Sequence, residues 1–257
     1  MPLTFPSHAA AILPLRHIPW VKQLSTPALV VGSTAPDLVY LFASKGASTH
    51  RPLGLLYFCL PIGLLAFLYV EALTLPVISP LVLPYFSEKW HPLAARLFGP
   101  RTLPSRFVDW LRVGAAIMIG AGTHQLWDGF THEWMWPARV LYPGKLIGPA
   151  EHPMLLSKLL QHSSSLLGLA IVGLYLYLIR SRIERAPTSP APLRKRALGH
   201  LLVLPLVAGA CGAATALNAQ RVWTQTLWDT AWAGTVWFCL MLGIVCLRKR
   251  LAPTSSL

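Results

Sequence analysis

Five long apolar stretches constrain the fold of this chain more than any other feature. They cover 53–78, 108–130, 159–180, 197–217 and 228–247. Because roughly 20 helical residues span the hydrocarbon core of a bilayer, each stretch is long enough for one transmembrane helix. The chain is 54% apolar and 12% charged, whereas a soluble domain carries about 25% charged residues. The sequence therefore predicts an all-α, polytopic integral-membrane helical bundle with about five transmembrane helices.

The 257 residues are predicted to form a single membrane domain. Residues 1–52 hold two short apolar stretches broken by prolines and are predicted to form short N-terminal helices; a broken sixth crossing around Leu24–Phe42 is the alternative. Residues 53–180 supply three spans around a candidate site, and 197–257 supply two further spans with a basic C-terminus. Between them, 181–196 is predicted to be a cytoplasmic loop.

The basic residues predict the orientation of these spans. Lys and Arg are concentrated in 84–112, in 180–196 and at the C-terminus, and such clusters favour the cytoplasmic side. Five crossings place all three regions on that side, which predicts a multi-pass protein of the cell (inner) membrane with a cytoplasmic C-terminus. The net charge of +13 is explained by these clusters and by anionic lipid as a partner. No nucleic-acid-binding signature is present, so nucleic acid is excluded as a partner.

Six polar residues stand out because the predicted topology places them near one membrane face. They lie before, between or at the outer ends of the first three spans, and buried ionisable groups in such places are costly and usually functional. The six are His8, Asp37, His50, His124, Asp128 and His162.

The residue types in this set predict a metal site. His124 and Asp128 are four residues apart and share a helix face, which His132 continues if the helix continues. Imidazole and carboxylate ligands suit divalent zinc, manganese or iron. Six candidates exceed the three protein ligands usual for one catalytic zinc, so one or two ions are predicted, and paired ions suit phosphate-ester hydrolysis.

Each of these residues also has a structural interpretation. A histidine near a helix end is often an interfacial or capping residue, Asp37 after Pro36 could cap a helix, and His162 beside three serines could form a polar packing seam. The four cysteines lie in apolar runs without Cys-x-x-Cys spacing, which indicates small core residues.

Five ordered motifs carry a resemblance to a known family. They are Met1-Pro-Leu-Thr-Phe-Pro-Ser-His8, Val31-Gly-Ser-Thr-Ala-Pro-Asp37, Thr49-His50, Thr123-His-Gln-Leu-Trp-Asp-Gly-Phe-Thr-His132 and Lys158-Leu-Leu-Gln-His-Ser-Ser-Ser165. Together they resemble the bacterial integral-membrane family called domain of unknown function 4184. That family is distantly similar to membrane-bound metal-dependent hydrolases of the YdjM type and, through them, to zinc-dependent phospholipase C bundles. The resemblance implies that the same six His and Asp positions are metal ligands.

The function predicted from these features is a metal-dependent hydrolase acting on a lipid or phosphate ester at the extracytoplasmic face. Asp128 or Asp37 would be a ligand or general base, and Glu133 is a further candidate acid or base. Arg51 and Lys158 could hold a phosphate group. Two alternatives stay open: a transporter or proton pathway, which also uses intramembrane His and Asp, and a structural membrane protein with a structural metal.

Overall fold

A computed structural model describes residues 7–41, 48–151, 153–183, 234 and 238–248 of the chain. This part of the protein is mainly helical, which confirms the helical character of the predicted fold. Two short strands, β1 (Leu146–Ile147) and β2 (Met154–Leu155), pair antiparallel. The α-helices are α1 (Thr26–Thr34), α2 (Leu60–Leu68), α3 (Leu75–Val82), α4 (His91–Phe98), α5 (Phe107–Thr131), α6 (Trp136–Leu141), α7 (Leu156–Ile179) and α8 (Phe238–Arg248).

Two helices in the described part of the chain are long and apolar enough to cross a membrane. One runs through Leu55–Tyr85, where π-helical turns at Leu55–Cys59 and Tyr69–Thr74 join α2 and α3 into a continuous helix. The other covers Leu156–Arg182 and contains α7. Their length and composition support association with a membrane. The predicted number of five spans is not confirmed.

The remaining predicted spans differ in outcome. Helix α5 coincides with the predicted span at 108–130, but polar residues in its C-terminal half lower its hydropathy, and it does not qualify as a span. The predicted span at 197–217 lies outside the described residues. So do most of the loop at 181–196 and part of the span at 228–247, whose described part contains α8.

The chain divides into two compact units, which we describe separately. The second unit comprises Leu68–Leu103 and Leu178–Leu257. Within it, the buried Glu71 in the second π-helical turn accepts a hydrogen bond from Arg101 at 2.6 Å. The Arg101 guanidinium also donates to backbone carbonyls near the end of α4. A buried carboxylate is costly without such a partner, so this pair keeps an acidic residue inside an apolar helix.

The first unit comprises Leu3–Phe67 and Pro104–Tyr177, and its core is the crossing of α1 with α5. Ser25 caps α1 by accepting a hydrogen bond from the backbone N–H of Ala28, and Pro27 favours the helical first turn. The two helices meet at Gly32 and Gly120, where an added Cβ would overlap the backbone of the opposite helix. Small residues permit this close approach of two helices.

A 3₁₀ helix at Ser7–Ile12, here called the N-terminal 3₁₀ helix, contacts α7 in the same unit. Gly168 of α7 packs closely against Ser7: a Cβ added to this glycine would lie 2.7 Å from the Ser7 carbonyl oxygen. This contact brings the first histidine of the chain to the same region as the polar end of α5.

Candidate metal centre

Four buried side chains from three parts of the first unit converge on one point. Asp37 lies in the 3₁₀ helix Ala35–Leu41 that directly follows α1. His50 lies in the turn that precedes the long helix at Leu55. His124 and Asp128 lie one turn apart on the same face of α5. The α1–α5 crossing therefore positions three of the four side chains.

The four side chains present ligand atoms at the spacing expected around a single ion. One ligand atom from each lies within 4.8 Å of all the others. His50 Nε2 lies 3.2 Å from Asp37 Oδ1 and 3.4 Å from Asp128 Oδ2. His124 Nε2 lies 3.6 Å and 3.2 Å from the same two oxygens. Tetrahedral ligands about 2.0–2.2 Å from zinc are separated by about 3.3–3.6 Å, so these four nitrogen–oxygen distances are close to that spacing.

Hydrogen bonds on the far side of each imidazole orient its Nε2 toward the cluster. His124 Nδ1 donates to the Ser33 backbone carbonyl at 2.7 Å. The Thr49 hydroxyl donates to the Pro36 carbonyl at 3.0 Å, which leaves its oxygen to accept from His50 Nδ1 at 3.2 Å. Metal-binding histidines in proteins usually have such a partner on the other nitrogen, which fixes tautomer and ring orientation.

This arrangement directs nitrogen lone pairs at carboxylate oxygens, and that requires a cation. Nε2 of His124 is fully buried and makes no well-aligned hydrogen bond, although carboxylate oxygens lie close to it. Two electron-rich groups at this distance repel each other unless a proton or a metal ion lies between them. The donor set, its spacing and the orphaned nitrogen therefore all fit a divalent metal ion.

The pKa values of Asp37, His50 and His8 are all shifted from their usual values in the metal-free protein. Burial raises the pKa of Asp37, but the adjacent imidazoles of His124 and His50 outweigh burial and hold this pKa well below its usual range. Burial lowers the pKa of His50, yet hydrogen bonds to Asp128 and Asp37 raise it to about 9. Burial and the neighbouring His124 lower the pKa of His8 to about 4. In the metal-free protein at neutral pH, the raised pKa of His50 favours its protonated form.

His8 extends the cluster on one side. Its ring stacks on His124 with 3.9 Å between the centroids, and its Nε2 lies 3.8 Å from Asp128 Oδ1. The other nitrogen, Nδ1, is buried without a hydrogen-bond partner. His8 could therefore serve as a fifth ligand.

A cavity of about 30 Å³ opens beside the cluster, with room for about two water-sized groups. Ligand-type side chains line one wall, and neutral hydroxyl, amide and aromatic groups line the rest. The ligand-type residues are His8, Asp37, Asp128 and His132, and the neutral residues include Tyr40, Gln161, Ser164 and Ser165. The position is open to a water or a small part of a substrate, which is the feature that separates catalytic from closed structural metal sites.

The structure brings five of the six predicted ligands together and leaves one apart. His162 is exposed and does not line the cavity, although its neighbour Gln161 does. Glu133 and Arg51 are also exposed and do not line the cavity. Lys158 is exposed, but its ammonium group donates to Gln161 at 3.2 Å.

Sequence reasoning missed one of the groups that orient the ligands. The backbone carbonyl of Ser33 orients His124, and it lies within the motif that ends at Asp37. The signal for Gln161 was the spacing of polar residues at 161, 164 and 165, which places them on one face of α7.

The fold and the site define a mainly helical protein with membrane-length helices and a buried His and Asp cluster suited to a metal ion. The chain belongs to the family described as Domain of unknown function (DUF4184), whose model matches residues 1–247. This match confirms the family indicated by the five motifs. No curated protein and no solved structure matches the chain.

Proposed function

We propose that this protein is a membrane-embedded, metal-dependent hydrolase that acts on a lipid or other phosphate ester. The observation that carries the proposal is the cluster of Asp37, His50, His124 and Asp128, which lies beside a cavity instead of being closed on all sides. A distant similarity of the family to YdjM-type membrane-bound hydrolases, inferred from the sequence motifs alone, would support the same reaction class.

Zinc is the proposed metal, because two imidazoles and two carboxylates at tetrahedral spacing are typical zinc ligands. A bound zinc ion lowers the pKa of its water to about 7 and polarises the scissile ester. Asp37 and Asp128 would hold the ion, and His8 would complete its coordination from the cavity side. Tyr40, Ser164 and Ser165 would position the substrate oxygen or the water through hydrogen bonds.

The phosphate group is proposed to lie at the outer end of the cavity. Lys158 donates a hydrogen bond to Gln161, and Gln161 lines the cavity. Arg51 is exposed on the turn next to His50. Both cations are therefore placed where they could neutralise a headgroup phosphate outside the metal cluster.

We propose an extracytoplasmic site in a multi-pass protein of the cell membrane with a cytoplasmic C-terminus. The supporting observation is the distribution of Lys and Arg along the sequence. Reporter fusions near Gly148 should report an extracytoplasmic position, and fusions after Leu257 a cytoplasmic one. The opposite pattern would place the site on the cytoplasmic side.

The experiment that tests the hydrolase combines metal analysis with a substrate panel. Protein purified in detergent should contain zinc and cleave at least one member of a set of soluble and lipid phosphomonoesters and phosphodiesters. Asp128→Asn should lose both zinc and hydrolysis. Asp109→Asn provides the matched control on the same helix, because Asp109 pairs with exposed arginines at the other end of α5.

A structural metal is the second candidate function, favoured by the depth of the cluster, since all four ligand side chains are buried. In that case removal of zinc would lower the unfolding temperature of the protein while no ester in the panel is cleaved. Zinc-dependent hydrolysis by the wild type, absent in Asp128→Asn, would decide for the enzyme.

A further inference from the structure

His132 carries an imidazole that the four-residue cluster does not use. Helix α5 ends at Thr131, and His132 directly follows it. Its Nδ1 lies 3.3 Å from the backbone carbonyl oxygen of Asp128 and 3.6 Å from Asp128 Oδ2. Its Nε2 lies 3.1 Å from Gln161 Nε2. The position of the proton on this ring decides whether His132 can bind a metal or can only donate to Asp128.

Two independent contacts place that proton on Nδ1. A carbonyl oxygen can only accept a hydrogen bond, so a hydrogen bond to the Asp128 carbonyl needs a hydrogen on Nδ1, and the Thr131 hydroxyl, 3.2 Å from the same nitrogen, can also accept from it. On the other side, the Lys158 ammonium can only donate, and it donates to Gln161 Oε1 at 3.2 Å. This contact turns the NH₂ group of Gln161 toward His132, so His132 Nε2 must accept.

The surroundings of the ring agree with this neutral tautomer. The side chain of His132 is mostly buried, with 20% exposed. Burial lowers its pKa below the usual value despite the nearby carboxylate of Asp128. Both nitrogens are therefore engaged, and neither presents a lone pair to the cluster.

We propose that His132 is a positioning residue for Asp128, held in its donor tautomer by Gln161 and Lys158. This inference rests on the proposed metal centre. The Nδ1–H faces both the backbone and the carboxylate of Asp128, so it restricts rotation of the carboxylate that also faces His50 and His124. The resulting chain of contacts connects an exposed lysine on α7 to a buried metal ligand on α5.

The magnitude expected for such a residue is known from metal sites in general. Removing a group that orients a metal ligand costs about 10–100-fold in metal affinity. We therefore expect His132→Ala to bind zinc about 10–100-fold more weakly than the wild type. A residue that only fills space would not depend on the position of its N–H group.

Two amide variants distinguish positioning from packing. The Asn side chain places an N–H group near the position of Nδ1, whereas Gln places it near Nε2. Zinc competition with a chelating dye should therefore give nearly wild-type affinity for His132→Asn, and an affinity close to that of His132→Ala for His132→Gln. His17→Ala, which removes an exposed histidine from the same unit, should leave zinc affinity unchanged.

A second measurement reads the tautomer without metal. Nitrogen-15 NMR of the histidine-labelled, metal-free protein should show the His132 proton on Nδ1. A proton on Nε2 would overturn the inference, as would equal zinc affinity in the wild type, His132→Asn and His132→Gln. A wild type that binds no zinc would instead refute the proposed function, and the NMR result alone would then decide the tautomer and the contact with Asp128.

Discussion

The close contact between α1 and α5 at Gly120 makes Gly120→Ala an informative substitution. Gly120 lies one helical turn before His124, and it faces the segment of α1 that leads to Asp37. An added Cβ would overlap the Leu29 carbonyl oxygen and lie 2.7 Å from Ser33 N, about 0.7 Å closer than the 3.4 Å at which ordinary contact begins. Because these opposing atoms belong to the backbone, the helices themselves must separate.

This separation would disturb the metal centre directly. Metal–ligand distances tolerate only about 0.2 Å, and the Ser33 carbonyl that must move also orients His124. We expect zinc affinity to fall about 100-fold or more, since a misplacement of about 1 Å has an effect of that size at catalytic sites. Overpacking of this kind should also lower the free energy of unfolding by about 1–3 kcal/mol.

Gly122→Ala is the matched control. It lies two residues further along α5, and a Cβ there meets nothing within 4 Å. Because alanine favours helix over glycine by up to about 1 kcal/mol, this variant should bind zinc normally and be slightly stabilised. Zinc competition and thermal unfolding in detergent measure both effects. If the two variants bind zinc alike, the α1–α5 crossing does not set the ligand geometry.

Three further predictions concern the ligands, the proton and the N-terminal contact. His124→Ala should reduce zinc affinity by more than the roughly 10–100-fold loss expected for removal of an orienting residue. His162→Ala should retain wild-type zinc affinity, because His162 is exposed. Equal losses in the two variants would contradict the described cluster. Because the pKa of His50 in the metal-free protein is raised to about 9, zinc binding at pH 7.5 should release at least one proton, and zinc affinity should fall as the pH falls. Calorimetry in buffers of different ionisation enthalpy measures this proton release. A binding enthalpy that does not depend on the buffer would refute the prediction. Gly168→Ala should displace the N-terminal 3₁₀ helix and destabilise the protein by about 1–3 kcal/mol, whereas Gly173→Ala, which meets nothing within 4 Å, should not; thermal unfolding compares them.

The sequence could predict which residues gather, because charged and polar groups are few in so apolar a chain. Asp37, His50, His124 and Asp128 each interrupt or border an apolar segment, where an unpaired polar group is costly. Their common placement near the ends of adjacent helices followed from the order of the spans. Helical class and family followed from the same pattern and from the five motifs.

The sequence could not predict which face of a helix meets the site. On α7, Gln161, Ser164 and Ser165 line the cavity, whereas His162 is about 100° around the helix from Gln161 and points elsewhere. The rotation of α7 is set by tertiary contacts such as that between Gly168 and Ser7, and local composition does not encode it. The role of His132 likewise depends on contacts from another helix, through Gln161.

The charge of the buried cluster has a consequence for ion selectivity. Once the imidazoles have released their extra protons, as metal binding requires, two carboxylates and two neutral imidazoles carry a total charge of minus two. A divalent ion brings this total to zero, whereas sodium or potassium leaves one negative charge and a trivalent ion leaves one positive charge. Each uncompensated charge away from water costs several kcal/mol. The cluster would therefore reject the abundant monovalent cations by valence, before ionic radius or coordination preference begins to matter.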